Sequence, residues 1–446
     1  MSASVYLETF GCQMNVADSE RATLRLRHAG FDITDSALSA DVVIFNTCSV
    51  RERAAHKLFT RMGEIRRSRL AGEPVFGVTG CVAQLEGETL FDSSPSVRLI
   101  AGTRATDRLP DLISRALDGE QRVADLGERA RDERWDVPAT ARTSRYVAFV
   151  PIIEGCNKFC TYCIVPYSRG REQSRAASEI IEEIKELSDH GYREIHLIGQ
   201  NVNSYRPATQ AGLENFKGAT PFCRLLRATA ATGMERIKFT TSFPRDFHPD
   251  IVSAIEEHEN LCEWIHLPVQ SGSDRVLRAM RRGHTIADYL KRIDRIKNAR
   301  RRISITSDII VGFPGESEAD FRDTIRLIEQ VGYDGLYIFK YSERPGTPAA
   351  RLEDDVSKEE KGRRFMELEE THRKFQRRIY QEYVGRSIQV LAEQVSAKSE
   401  QDMTGHSTCH KVVNFPRAWV RPGDLASVRI TKAKRNSLYG EVLSAA

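Results

Sequence analysis

Cys156, Cys160 and Cys163 fall within eight residues, in the run EGCNKFCTYCIVP (154–166). Three thiolates this close can meet at one centre, and soft thiolates select iron–sulfur clusters, zinc or copper. The number of cysteines is informative. A structural zinc site wants four ligands, usually as two separated pairs. Three cysteines on a four-iron cube leave one iron open, and an open iron can hold a reactant. A further set, Cys12, Cys48 and Cys81, is spread over the first fifth of the chain, and each of these cysteines follows an apolar run: 5–10, 42–46 and 75–79.

The elements around these cysteines determine whether they can meet. In the first segment, 1–119, the three runs and a fourth at 97–100 read as strands, with helices between them over about 18–29 and 49–70. Strands alternating with helices imply right-handed crossovers and a parallel, open sheet. Ligand sites in such sheets form outside the carboxyl ends of the strands. Cys12, Cys48 and Cys81 are therefore expected together at one sheet edge, as a second three-thiolate site. Residues 120–144, with the charge-dense GERARDERWDVPATART, read as a linker. The segment 145–374 repeats a strand-then-helix unit. Its strands are expected at 146–153, 193–198, 236–240, 264–267, 304–311 and 335–340, and helices include 177–190, 286–299 and 318–331. Six such units make a partial (β/α)6 barrel, whose working face is the C-terminal end of its strands. The Cys156–Cys163 loop follows the first strand and opens on that face. So do the later tips Gly199-Gln200-Asn201, Thr240-Thr241-Ser242, 268–272 (PVQSG) and 312–316 (GFPGE).

Residues 375–446 are rich in short β runs, at 387–391, 411–414, 425–430 and 440–443, separated by turns. They predict a small antiparallel β-barrel of OB type, a shape used for RNA. Lys411, Arg417, Arg429, Lys432, Lys434 and Arg435 are its candidate phosphate contacts. Phe415 and Trp419 are expected in its core, and Cys223, Cys262 and Cys409, which fit no cluster spacing, are read as structural. From Arg373 onward there are 13 Lys and Arg against 6 Asp and Glu, a net +7 on a body of net −3. That asymmetry suggests a nucleic-acid contact placed at this end. At 446 residues, 40% apolar and 29% charged, the chain reads as a soluble multidomain protein. No stretch has the roughly 18 apolar residues of a membrane span. Nine cysteines without a signal peptide argue against a disulfide framework and for a reducing, cytoplasmic location.

The motifs carry a resemblance. FGCQMN (10–15), NTCSVRE (46–52) and TGCVAQ (79–84) resemble the N-terminal domain of the radical S-adenosylmethionine (SAM) methylthiotransferases. GCNKFCTYCIVPYSRGRE (155–172), HLIGQNVNSY (196–205), HLPVQSGS (266–273), IVGFPGE (310–316) and FKYSERPGTPAA (339–350) resemble their radical SAM barrel. VVNFP (412–416) and SLYGEV (437–442) resemble a TRAM domain. Two phrases depart from the family pattern: Thr-Thr-Ser-Phe-Pro at 240–244, where a histidine is usual before the proline, and Ser-Glu-Arg-Pro at 342–345. The resemblance implies that Cys156, Cys160 and Cys163 hold a [4Fe–4S] cluster whose open iron chelates SAM. It also implies that Cys12, Cys48 and Cys81 hold an auxiliary, sulfur-carrying [4Fe–4S] cluster. Tyr162, Gly199, Gln200, Asn201, Gln270 and Ser271 are then candidates for SAM contact.

FGCQMN, NTCSVRE and GQNVNSY point to the branch that methylthiolates C2 of N6-dimethylallyladenosine at position 37 of the tRNA anticodon loop. SAM there is both methyl donor and source of the 5′-deoxyadenosyl radical. The implied partners are the tRNA anticodon stem-loop, a reductant such as a flavodoxin or ferredoxin, and iron–sulfur carrier proteins, around a monomeric enzyme. The rival expectations are a methylthiotransferase for threonylcarbamoyladenosine in tRNA or for a ribosomal-protein aspartate, and a non-enzymatic RNA-binding iron–sulfur protein.

Overall fold

The computed structural model describes residues 2–49, 53–69, 72–128, 135 and 137–445. Residues 50–52 of NTCSVRE, and 129–134 and 136 of the expected linker, lie outside the described residues.

The first domain is a six-stranded sheet, parallel throughout, in the order Asp32–Ile33, Ser4–Phe10, Val42–Thr47, Val75–Gly80, Val97–Ala101, Val123–Asp125. Its central strands are buried on both faces. Val43, Phe45, Phe76 and Val78 pack into one core, while Val42, Ile44, Val75 and Leu99 pack into the other. Such two-sided burial is why these strands read as continuous apolar runs. Two boundaries differ from expectation. Val123–Asp125 pairs with Val97–Ala101, in the register Leu99↔Val123, so the sheet takes its last strand from the expected linker. Three residues inside a charged stretch are too few to display a strand period. The first helix starts at Gln13 rather than near 18, with Cys12 as its N-cap. Its first turns bury polar residues, Asn15, Asp18 and Ser19, beside Met14 and Ala17, which hid the periodicity.

The expected linker ends as ordered chain. Val137, Ala139 and Ala141 are buried. Tyr192 Oη donates to the carbonyls of Ala139 (3.0 Å) and Ser144 (2.8 Å), which ties the segment to the next domain.

In that domain, Val147–Pro151, Glu194–Ile198 and Arg236–Phe239 form one parallel sheet, and Trp264–His266, Ser304–Val311 and Gly335–Lys340 form another. A single bridge, Ile237 to Leu261, joins them into the open six-strand arc predicted from the repeats. The loop with Cys156, Cys160 and Cys163 is closed at its base by a short ribbon, Ile153–Glu154 against Gln173–Ser174.

The C-terminal module is a closed five-stranded barrel in the order Ser387–Ser396, Ser399–Ser407, Val412–Pro416, Leu438–Ala445, Leu425–Ala433. Its pairings are antiparallel except between Val412–Pro416 and Leu438–Ala445, which run parallel. The strand Ser399–Ser407 (SEQDMTGHS) has too little apolar alternation to be seen in sequence. Phe415 fills the core as expected, but Trp419 is 64% exposed. The expected boundary between 374 and 375 falls inside the helix Lys358–Gln381. That helix gives Leu368 to the core of the second domain and Ile379 and Tyr380 to the core of the C-terminal module.

The barrel docks on the N-terminal ends of the core strands. Arg236, which opens its strand, donates to the His406 carbonyl at 2.9 Å. His410 stacks on Trp264, the first residue of another strand, with ring centres 4.2 Å apart. Lys411 Nζ reaches Ser304 (2.9 Å) and Asp334 (2.7 Å).

Candidate active site

The first three cysteines stand where the sheet topology places them. Cys12 caps the helix after the first strand, Cys48 follows Val42–Thr47, and Cys81 opens the helix Cys81–Glu86. A buried amide pair forms the floor below them. Asn15 Nδ2 donates to Asn46 Oδ1 (2.8 Å), Asn46 Nδ2 donates back to the Asn15 carbonyl (2.9 Å), and Asn15 Oδ1 accepts from the Cys12 amide (3.3 Å). The non-cysteine letters of FGCQMN and NTC thus act as scaffold. Gly80 has φ +89, and a side chain there would run into Asn46 and the Thr47 carbonyl. The Cys12 thiol is drawn down to about 5, chiefly by a hydrogen bond from Cys48, against the cost of burial and with help from the Arg169 charge. Arg169 is buried and bridges the domains. It donates to Asp18 on the first helix (2.7 Å) and to Glu154 at the end of the first barrel strands (3.0 Å).

The second set is on the barrel loop. The Cys156 amide is held by the Gly170 carbonyl (3.0 Å), and Thr161 is anchored through its amide to Met280 (3.1 Å) and its hydroxyl to Ala279 (2.9 Å). Burial pushes the thiols up, Cys156 to about 11 and Cys163 to about 12. Arg282 is buried and stands 3.5 Å from both Cys160 Sγ and Tyr162 Oη, donating also to the Pro268 carbonyl at 2.6 Å. Among the described residues it has no carboxylate partner, and its Nε is unsatisfied. A buried guanidinium needs compensating negative charge, which a thiolate at Cys160 would supply.

All six cysteines line one cavity of about 320 Å³ at the carboxyl ends of the strands of both domains. Among the described residues, no three His, Cys, Asp or Glu side chains close to single-ion distance. A structural zinc ion wants four ligands, whereas a four-iron cluster takes each of three thiolates on a different iron. A second, mostly apolar chamber of about 220 Å³ adjoins the first and shares Tyr162, Cys163, Val165, Gln270 and Asp308 with it.

Of the expected SAM contacts, Tyr162, Gly199, Gln200, Asn201 and Gln270 line the cavity. Gln200 Oε1 is shut from solvent with no hydrogen-bond partner among the described residues. Asn201 is engaged within its loop, donating to Ser204 (2.5 Å) and accepting from the Phe243 amide (3.0 Å). Ser271 is a correction. It is fully buried away from the cavity, with Oγ 3.5 Å from Thr324 Oγ1 on the helix Glu318–Val331. The neighbouring Gly272 lets the loop approach that helix more closely than any side chain would allow. Thr241 (φ +70) and Gln270 (φ +79), both lining the cavity, hold left-handed backbone without being glycine. Such strain concentrates at functional sites. Sequence reading missed Asp308, Lys158, Arg169 and Arg282 as lining residues, while Thr241 belongs to a tip that it did place on this face. Arg169 lies inside the quoted phrase GCNKFCTYCIVPYSRGRE, whereas nothing local marks Arg282.

On the C-terminal barrel, Arg417, Arg429, Lys432, Lys434 and Arg435 are exposed. Lys411 is a second correction. It is 3% exposed and its ammonium is occupied by Asp334 and Ser304, so it joins two domains and faces no phosphate.

Comparison with known proteins follows this geometry. Residues 150–328 match the radical SAM superfamily, 4–102 match "Uncharacterized protein family UPF0004", and 381–443 match the TRAM domain. The chain is 43% identical over 444 residues to a protein of Koribacter versatilis, covering 98% of each. It is 44% identical over 441 residues to one of Solibacter usitatus (98% and 97% covered) and 44% over 445 residues to one of Alkalilimnicola ehrlichii (99% and 98%). All three are named tRNA-2-methylthio-N(6)-dimethylallyladenosine synthase. Among solved structures, the radical SAM methyltransferase TsrM of Kitasatospora setae superposes with a TM-score of 0.57 at 14% identity, over 78% of this chain and 74% of that one. This last likeness is one of fold alone.

Proposed function

Because the chain belongs to the tRNA-2-methylthio-N(6)-dimethylallyladenosine synthase family of radical SAM enzymes, we propose that it joins a methylthio group to C2 of N6-dimethylallyladenosine at position 37 of tRNA. The observation that carries this reading is the single cavity onto which two cysteine triads from two domains open. Membership of the superfamily brings SAM and a [4Fe–4S] cluster, for which Cys156, Cys160 and Cys163 are the ligands we assign. We assign Cys12, Cys48 and Cys81 to a second cluster. A C2–H bond on an adenine is not acidic enough for a side-chain base such as Asp308. When bound, the clusters and SAM supply what side chains lack, a 5′-deoxyadenosyl radical and an iron-held sulfur that SAM methylates.

The chain's own residues do the rest. Gln200 and Gln270 present amides to the polar groups of SAM, and Tyr162 lies between the two chambers. Arg282 and Arg169 each place a fixed positive charge beside one triad. Thr241 and Gln270 hold the strand tips open in strained backbone. The two adjoining chambers give a cofactor and a target base separate space within reach of each other. An anticodon-loop base is single-stranded and enters at an unstacking cost of about a few kcal/mol. Electrons come from a small reductant protein and clusters from carrier proteins.

The test is nucleoside mass spectrometry of total tRNA from a strain lacking the protein and from the same strain complemented. The deletion is expected to lose 2-methylthio-N6-dimethylallyladenosine and to accumulate its unthiolated precursor. Complementation with Cys48→Ala should leave the precursor unmodified while the purified variant still cleaves SAM, whereas Cys156→Ala should lose both. An unchanged nucleoside profile in the deletion would instead send the search to a protein substrate.

A further inference from the structure

In a closed α/β barrel the inward-facing positions are filled by side chains packed on one another. Here the last strand, Gly335–Lys340, pairs with Ser304–Val311 on one side only among the described residues, and the arc stays open beside it. The pleat of that strand separates two sets of residues. Leu336 and Ile338 pack into the core of the domain. Tyr337 and Phe339 lie on the other face. The parallel register sets them beside Asp308 and Ile310, both of which line the second chamber. Two large rings on the inner face of the arc are thus left open, Tyr337 at 49% and Phe339 at 48% exposure.

The rings before Tyr337 are shut away. Tyr337 meets His266 edge-on with ring centres 5.8 Å apart, His266 stacks on Trp264 (6.2 Å), and Trp264 stacks on His410 of the C-terminal module (4.2 Å). His266 and Trp264 are buried, so this stack is a floor that ends the open face at Tyr337. At the other end Phe339 is itself part of the chamber wall. The two exposed rings therefore form a short shelf leading into the chamber. Alternate residues of a strand are about 6.6 Å apart, and stacked bases about 3.4 Å, so the shelf has room for one or two flat groups.

Whatever lies on such a shelf must present flat, apolar faces and be joined to what enters the chamber. For a tRNA substrate this is the base next to the target, because anticodon-loop bases are unpaired and single-stranded bases are held by stacking on aromatic side chains. Lys340 and Arg344 on the same chamber wall, against the one carboxylate of Asp308, bring positive charge for the phosphate that joins the two nucleotides. We propose that Tyr337 and Phe339 form a stacking shelf for the unpaired base adjacent to the one that is methylthiolated, and so position the target base at the chamber. The inference deepens the tRNA reading above and rests on it.

The test uses the full-length, cluster-loaded protein and fluorescence-anisotropy titration of anticodon stem-loop RNAs over a salt series. One RNA is intact, one is abasic at the target nucleotide, and two are abasic at the nucleotide on either side of it. Tyr337→Leu is expected to weaken binding of the intact RNA about tenfold. The slope of log K against log salt should stay unchanged, since stacking releases no counterions. Tyr337→Phe keeps the ring and should restore binding. The loss should vanish on one of the two RNAs lacking a neighbouring base and persist on the RNA lacking the target base. A loss of equal size on all four RNAs would overturn the shelf, because no base would then be stacked on it. A loss that vanishes only when the target base is missing would also overturn it, by making the rings part of the target's own seat. Iron content and melting temperature report whether the fold is intact. Should Tyr337→Leu lose iron, Phe339→Leu carries the same comparisons from the other end of the shelf. Failure of the unmutated protein to bind any of these RNAs would bring down the functional reading, and the shelf with it.

Discussion

Arg282 stands 3.5 Å from Cys160 Sγ in a site where no carboxylate balances it among the described residues. A guanidinium donating to a thiolate stabilises the more negative, reduced state of whatever that thiolate holds. Replacing it removes a charge-assisted hydrogen bond of about 1.5 kcal/mol, which is about 60 mV for one electron. Arg282→Gln is therefore expected to make the radical SAM cluster harder to reduce by roughly that amount, measured by EPR during a redox titration. A midpoint potential equal to that of the unmutated protein would show that Arg282 serves only packing. The amide pair Asn15–Asn46 belongs to the same scale. Both letters are visible in FGCQMN and NTCSVRE, but their purpose, a hydrogen-bonded floor below three thiols, required the fold to appear.

Helix caps place the barrel loops. The helix Glu318–Val331 begins with a capping box, Ser317 accepting from the Asp320 amide while the Asp320 carboxylate takes the Ser317 amide at 2.9 Å. Asp320 also accepts from Ser273 (2.6 Å), the N-cap of the helix Asp274–Ala279, and from Arg275 within that helix. Burial works against its charge, yet the hydrogen bonds from Arg275, Ser273 and Ser317 outweigh it and hold the carboxyl well below the usual range. Its folded pKa is depressed, so its contribution is present above about pH 4 and is lost as pH falls below that. Asp320→Ala should cost about 2 kcal/mol at neutral pH, measured by urea denaturation, and the deficit should shrink as the pH is lowered beneath 4. A constant deficit across that range would mean the carboxylate charge is not what matters.

At the scale of the molecule, two buried arginines lock the N-terminal domain onto the barrel. Arg169 bridges Asp18 and Glu154. Arg142, from the expected linker, is completely buried between Glu20 and Glu183. Removing one member of a buried pair leaves charge without compensation, at about 3–5 kcal/mol. Arg169→Ala is expected to destabilise the protein by about 3 kcal/mol and to lower the iron content that we assign to Cys12, Cys48 and Cys81. Denaturation and iron analysis together test this. A loss below about 1 kcal/mol, the worth of a surface pair, would show the two domains are held in register by other contacts.

The cysteine triads, the strand-and-helix alternation and the closed β-barrel were legible in the chain because each leaves a local mark: a spacing, a period of two or 3.6, a motif after a strand. Val123–Asp125 and Ser399–Ser407 were not, being respectively too short and too polar to show a period. Residues such as Lys411 and Ser271 carry no local sign of their fate. A lysine in a basic stretch becomes a buried strut only when Asp334, 77 positions away, is brought to 2.7 Å. Ser271 turns from the cavity only because Thr324 packs behind it. The amino-acid sequence alone carried the motifs and, through them, the family resemblance that implies the chemistry. The tertiary structure alone decided which charges remain free for a partner, because ion pairing and burial depend on how separate elements dock.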